Sequence, residues 1–223
     1  MTKAHLKRLI VPRTWPLKRK GITFVARPQA GKLHELAVPL IVAVRDMLGL
    51  CQNAKELTVM LHERGVEVSG KARKSKRYPV GLYEVITFVK SKKSYRLVLD
   101  DRGKLAFIEV KDPKLTLVQI TDKTTLKGKT QLNGTNSTNI LVDKDEYSTG
   151  DTIVTEGNTI KEALPFEKGA LVQLISGKHI GAVGNIEEIK GNIILFKKGD
   201  EVFETKKSYA FVIGKKKAAV QVA

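Results

Sequence analysis

The chain has almost no cysteine, few aromatic residues and, at its start, no acid. Cys51 is the single thiol among 223 residues, which excludes an intramolecular disulfide framework and a cysteine-based zinc site. It stands in an apolar stretch read as helical, the usual setting of a buried inert thiol, and such sparse cysteine fits a reducing cytosol. No apolar run reaches the roughly 18 residues of a membrane-spanning helix. The N-terminus shows neither the apolar core nor the small-residue cleavage site of a signal peptide, so Asn133-Gly134-Thr135 and Asn136-Ser137-Thr138 are expected to be turns rather than glycosylation sites. His5, His34, His62 and His179 are scattered without metal-ligand spacing, which leaves a metal centre or a histidine base without support. A phosphate-cradling Gly-x-x-x-x-Gly-Lys-Ser/Thr run is missing too. Asp100-Asp101 and Asp143-x-Asp145-Glu146 read as turns. The expectation is a protein with no catalytic residue, metal or cofactor.

Acid is absent until Glu35, and nine cations precede it: Lys3, Lys7, Arg8, Arg13, Lys18, Arg19, Lys20, Arg27 and Lys32. A segment of this kind calls for a polyanion, because Lys and Arg displace condensed counterions from a phosphate backbone. Of the formal net charge of +17, residues 1–77 carry +12 and residues 78–223 only +5. Within the latter, residues 94–205 are balanced at −2, and a lysine-rich tail follows. Basic ends around a charge-mixed middle point to nucleic acid as the first partner to test.

Pro12, Pro16, Pro28, Gly21 and Gly31 break up the first stretch, which reads as an extended arm with a short strand at residues 21–25. Trp15, set between Arg13 and Lys18, either stacks on a base or packs on its own domain. Leu40, Ile41, Val44, Met47 and Leu48 predict a helix from Pro39 to about Leu50. Asn53 with Glu56 predicts a capped second helix whose apolar face is Leu57, Met60 and Leu61, terminated at Gly65. Ser69-Gly70 then turns the chain into the cations Lys71, Arg73, Lys74, Lys76 and Arg77. Strands are predicted at residues 95–99, 105–110, 115–121, 140–142 and 152–155, spaced by turn residues as in a small barrel or sandwich. From Lys168 a strand, a loop at Ser176-Gly177-Lys178-His179-Ile180-Gly181 and a second strand follow. There Gly177 permits a turn, Gly181 and Gly184 permit a bend and close approach, and Lys178 and His179 occupy the tip.

Two helices, then Arg64-Gly65-Val66-Glu67-Val68-Ser69-Gly70-Lys71, a basic loop, Gly81 and the strand residues Val85, Ile86 and Phe88 resemble the S-four RNA-binding domain. Gly81-Leu82 departs from the Gly-Asp pair frequent there. The Gly177–Gly184 hairpin resembles the KOW motif, an SH3-like barrel element. S-four-like domains also accompany pseudouridine synthases, but Arg96-Leu97-Val98-Leu99-Asp100 lacks the glycine and the spacing of their catalytic aspartate. At the N-terminus, His5, Lys7, Arg8, Pro12, Trp15 and Leu17 match the pattern of the archaeal and eukaryotic S-four-e family of small-subunit ribosomal proteins, and Ile10 departs from it. The resemblance extends from His5 to about Gly214. Little chain follows Gly214, where eukaryotic members typically carry a long basic extension, so an archaeal source is expected.

The resemblance implies an α+β, multi-module chain. Residues 1–37 form a basic arm, 38–93 a small αα-β S-four-like domain, 94–165 a β-barrel-like middle domain, 166–214 an SH3-like KOW barrel and 215–223 a basic tail. It implies a cytoplasmic, non-catalytic constituent of the small ribosomal subunit whose partners are ribosomal RNA and neighbouring ribosomal proteins, with no membrane, small-molecule substrate or homo-oligomer. Lys7, Arg8, Arg13, Lys18, Arg19 and Lys20 are expected to thread between RNA helices, and Arg64, Lys71, Arg73, Lys74 and Arg77 to grip phosphates. Lys3, His5, Trp15, Arg27, Lys32, Arg45, Lys55 and Lys76 complete that face, with Lys178 and His179 as a third contact and Gly65, Gly70, Gly177, Gly181 and Gly184 as structural glycines. A stand-alone RNA-binding or transcription/translation factor built from the same modules is the alternative.

Overall fold

A computed structural model describes residues 5–126, 128–157, 159–199, 201–215 and 218–220. Lys3, Asn158 and the tail residues Lys216 and Lys217 therefore lie outside the described residues. The chain divides into two units, Met1–Val98 with Lys104–Lys114, and Leu99–Gly103 with Leu115–Ala223. It is mostly β with few helices, so α+β fits only in part.

In the first unit, β1 (Leu6–Lys7) pairs with β2 (Phe24–Val25), and β3 (Ala37–Pro39) pairs with β6 (Pro79–Gly81). A sheet in the order β5-β4-β7-β8-β9 is built from β4 (Val66–Val68), β5 (Lys71–Ala72), β7 (Val85–Phe88), β8 (Lys93–Leu99) and β9 (Leu105–Glu109). Strands β8 and β9, which the sequence reading assigns to the middle domain, thus pair in the sheet of this unit. The β4–β5 hairpin turns on Ser69 and Gly70, with φ of 50° and 73°. Positive φ at both central positions gives the turn the twist of the strands it joins.

The helix α1 (Ala54–His62) begins at Asn53, where the Glu56 carboxylate accepts the backbone N–H of Gln52 at 2.8 Å and of Asn53 at 3.5 Å. It buries Leu57 and Leu61 completely, each contributing about 1.5–3 kcal/mol. Its exit differs from expectation: Arg64 takes the left-handed conformation at φ 54°, and Gly65 instead supplies room beside the Met60 carbonyl, 3.2 Å from where a Cβ would stand. The helix expected over residues 39–50 is also corrected. Pro39 ends a strand, and Val42–Met47 winds as a π-helix, with the Leu48 N–H donating to the Ala43 carbonyl at 3.0 Å. Leu40, Ile41, Val42, Ala43 and Val44 are all buried. Because five consecutive residues are buried, the entry to this segment has no single apolar stripe to hold it to a 3.6-residue period, although Asp46 at its other end is exposed.

In the second unit, β10 (Leu115–Leu126), β11 (Lys129–Gly134), β12 (Thr138–Val142), β13 (Thr152–Glu156) and β14 (Thr159–Leu164) form a sheet in the order β12-β11-β10-β13-β14. The long β10 pairs its first half with β13 and its second with β11, and a bulge between Ile120 and Asp122 marks the change. Val118, Ile120, Leu132, Ile140 and Ile153 pack together between these strands. The Asn133-Gly134 step, expected as a turn, ends β11, and the reversal follows it through Asn136 and Ser137, both at positive φ. The second sheet has the order β18-β17-β16-β15-β19, from β15 (Leu171–Leu174), β16 (Val183–Lys190), β17 (Ile193–Lys198), β18 (Glu201–Lys206) and β19 (Ala210–Gly214). Buried Gln119 ties the two sheets by donating to the carbonyls of Gly150 at 3.2 Å and Ala210 at 3.0 Å.

Candidate nucleic-acid interface

The basic N-terminal stretch is held by its own backbone and by the first unit. The Arg8 guanidinium donates to the carbonyl of Lys18 at 2.9 Å and to that of Leu17, so it closes the loop between β1 and β2. The Thr14 hydroxyl donates to the Glu35 carbonyl at 2.6 Å, the Leu105 N–H to the Thr14 carbonyl at 2.8 Å, and the Lys104 ammonium to the Arg13 carbonyl. Trp15 is 1% exposed and lies against His34, with ring centroids 5.4 Å apart. Of the two roles open to this tryptophan, packing on its own domain is the one observed. Burial first, and Arg27 second, push the His34 imidazole down toward its neutral form.

A second knot gathers residues that sequence spacing keeps apart. The Lys32 ammonium pairs with Glu84, and these side chains are 3% and 10% exposed. Glu84 also accepts the Gly81 N–H at 2.7 Å. The Tyr78 ring has the Lys32 ammonium 4.8 Å and the Arg73 guanidinium 4.1 Å from its centroid, so two cations share one aromatic. Arg77 donates to the Arg27 carbonyl at 2.8 Å and accepts the Gln29 N–H at 2.9 Å. Lys32 is thus a core residue rather than a surface contact, while Arg73 and Arg77 are half-buried and partly engaged within the fold.

Lys7, Arg13, Lys18, Arg19, Lys20, Arg27, Lys55, Arg64, Lys71, Lys74 and Lys76 are exposed. Lys71 opens β5, with Lys74 and Lys76 just beyond it, presented by the Ser69-Gly70 turn. His5 is exposed and meets Phe24 edge to face at 5.4 Å. Arg45 is half-buried against Asp46, whose hydrogen bond holds the guanidinium charge in place. In the second unit Lys178 is exposed at the tip between β15 and β16, whereas His179 packs against Phe203 with centroids 4.3 Å apart. Gly181 and Gly184 sit in tight backbone cradles: a Cβ would stand 2.1 Å from the Asp100 carbonyl at Gly181 and 2.1 Å from the Lys197 carbonyl at Gly184. Lys104 and Tyr78 were missed by sequence reasoning. Nothing local marks them, since Lys104 acts on a residue 91 positions away.

Cys51 is buried, and burial with Glu56 pushes its thiol up, away from reactivity. Among the described residues no three His, Cys, Asp or Glu side chains gather as a metal site, and no helix is long and apolar enough to cross a membrane. The profile described as "Ribosomal family S4e" matches residues 91–161, and that of the "RS4NT (NUC023) domain" matches residues 2–32. Small ribosomal subunit protein eS4 of Methanosphaera stadtmanae is 38% identical, with the alignment covering 99% of this chain and 96% of that protein. The chain belongs to the eS4 family. The eS4 protein of Archaeoglobus fulgidus is 37% identical over 97% of this chain and 95% of that protein. A crystal structure of the 30S ribosomal protein S4e from Thermoplasma acidophilum superposes with a TM-score of 0.69 at 26% identity, covering 81% of this chain and 96% of that one. Members of the eS4 family are structural, non-enzymatic components of the small ribosomal subunit, and the archaeal relatives agree with the source expected from the sequence.

Proposed function

We propose that this chain binds ribosomal RNA in the small subunit through phosphate-directed cations and holds that RNA in place without chemistry. One observation carries this reading. Lys7, Arg13, Lys18, Arg19 and Lys20 are exposed on a stretch that contains no carboxylate. Cations without internal counter-charge repel one another in the free protein, and a phosphate backbone relieves that repulsion. Lys71, Lys74 and Lys76 extend the surface at the hairpin, where an S-four-like domain over residues 38–93 would present them to phosphates. Residues 1–37 are the basic arm in this reading and 215–223 a basic tail. The charge-balanced module at 94–165 turns its face to solvent or to neighbouring proteins or serves as a structural spacer, and a KOW-like module at 166–214 offers Lys178 as a further contact. The site of action is the ribosome in the cytoplasm.

The test is a sucrose gradient of native lysate, probed for this protein before and after a high-salt wash. Retention with the small-subunit peak through the wash is the expected result. Release by the wash, or sedimentation as a free protein, would make it a reversible factor instead.

A further inference from the structure

Between the 3-10 turn at Arg8–Ile10 and the loop that follows it lies a cleft of about 560 Å³, within the ~300–1,000 Å³ of ordinary small-ligand sites. Its charged lining is entirely cationic: Arg8, Arg13, Arg19 and Lys104. Arg8 and Lys104 are spent on backbone carbonyls, whereas Arg13 and Arg19 are exposed at the rim. The remaining walls are apolar, from Leu9, Val11, Pro12, Pro16 and Leu17, and Leu9 stays 76% exposed. Trp15 also lines the cleft, and its buried indole N–H has no hydrogen-bond partner.

Every polar side chain here is a donor and none is an acceptor, so the fitting occupant is rich in acceptors, anionic at one end and flat and weakly polar at the other. A duplex does not enter such a cleft, because its bases are stacked and paired inside. An unpaired nucleotide turned out of the stack does, and such nucleotides are what proteins read individually in RNA. We propose that this cleft takes one extruded nucleotide of the bound RNA, with its phosphate at Arg13 and Arg19 and its base against the Leu9–Pro12–Pro16 wall. The inference rests on the RNA-binding reading above and adds to it a site that distinguishes a bulged strand from a continuous helix.

Trp15 is the chain's one tryptophan and lines this cleft, so its fluorescence reports on the cleft wall and its packing against His34. The full-length protein is titrated with a fully paired RNA hairpin, with the same hairpin carrying one unpaired adenosine, and with adenosine 5′-monophosphate, at one salt concentration. The expected result is that the bulged hairpin binds about tenfold more tightly than the paired one and alone alters Trp15 emission. The double variant Arg13→Ala with Arg19→Ala should erase that preference, so that both hairpins bind alike and each more weakly than the paired hairpin binds the parent protein. Equal affinity and equal fluorescence response to both hairpins would overturn the extruded-nucleotide site and leave general RNA binding standing. A response to the mononucleotide at the same concentrations as the bulged hairpin would also overturn it, in favour of a free nucleotide. Failure to bind either hairpin would remove the RNA-binding reading itself.

Discussion

Lys32 and Glu84, 52 positions apart in the chain, form a buried ion pair that fastens the end of the basic N-terminal stretch to the turn after β6. The nine cations before Glu35 are therefore not equivalent. Lys32 and Arg8 hold the fold together, while Lys7, Arg13, Lys18, Arg19, Lys20 and Arg27 face outward.

Removing one partner of that pair should be costly. Lys32→Met leaves Glu84 desolvated with only the Gly81 amide to satisfy it, a loss of about 3–5 kcal/mol. Urea unfolding of Lys32→Met beside the double variant Lys32→Met with Glu84→Leu measures this, and the double variant should recover part of the loss. Equal stability of Lys32→Met and the parent protein would show that the pair is not buried in solution.

The same lysine should give stability a dependence on alkaline pH. Burial, the largest influence, pulls the Lys32 ammonium below its ordinary range, and Glu84 only partly opposes it. Between that lowered value and the unfolded value of about 10.4, the unfolded chain holds the proton more tightly than the folded one. Stability from this group therefore rises with pH across the window and is flat below it. The gap between wild type and Lys32→Met, measured by urea unfolding at stepped pH, should widen over that interval. A gap that stays constant would mean Lys32 remains charged in the fold throughout.

Exposed cations should control salt dependence, and buried ones should not. Replacing Lys71, Lys74 and Lys76 together by Gln should reduce the slope of log affinity for an RNA hairpin against log salt by about one per lysine. Lys32→Gln should leave that slope unchanged in whatever fraction folds. Filter binding across a salt series reads both, and an unchanged slope in the triple variant would take the hairpin out of the interface.

Close backbone approach should make Gly181 far less tolerant than a glycine in open space. Gly191 lies at φ 59° with nothing near its missing Cβ, so Gly191→Ala should cost only the left-handed backbone penalty of about 1–2 kcal/mol. Gly181→Ala meets the same backbone restriction at φ 91° and also drives a Cβ into the Asp100 carbonyl. Thermal unfolding should therefore rank Gly181→Ala clearly below Gly191→Ala.

Much of the local structure was legible because it depends on near neighbours. Asn53 and Glu56 mark the start of α1, Ser69-Gly70 marks the β4–β5 turn, and Gly177 to Gly184 mark the β15–β16 hairpin. The Val42–Met47 segment was misjudged because its apolar spacing suits an α-helix stripe, whereas it winds as a π-helix after five consecutive buried residues from Leu40 to Val44. Strands β11, β14 and β18 carry so many polar residues that their partners, rather than their own pattern, keep them extended.

Sequence alone determined how much charge the chain carries and that it is concentrated in the first third, because these are sums over residues that no folding can alter. Tertiary structure alone decided which cations stay exposed and which are drawn into the fold. Trp15 went to His34, Lys32 to Glu84 and Arg8 to the Leu17 and Lys18 carbonyls, while Lys104 was brought to Arg13 from 91 positions away. Burial and pairing are properties of contacts between distant segments, and those contacts exist only once the chain has closed on itself.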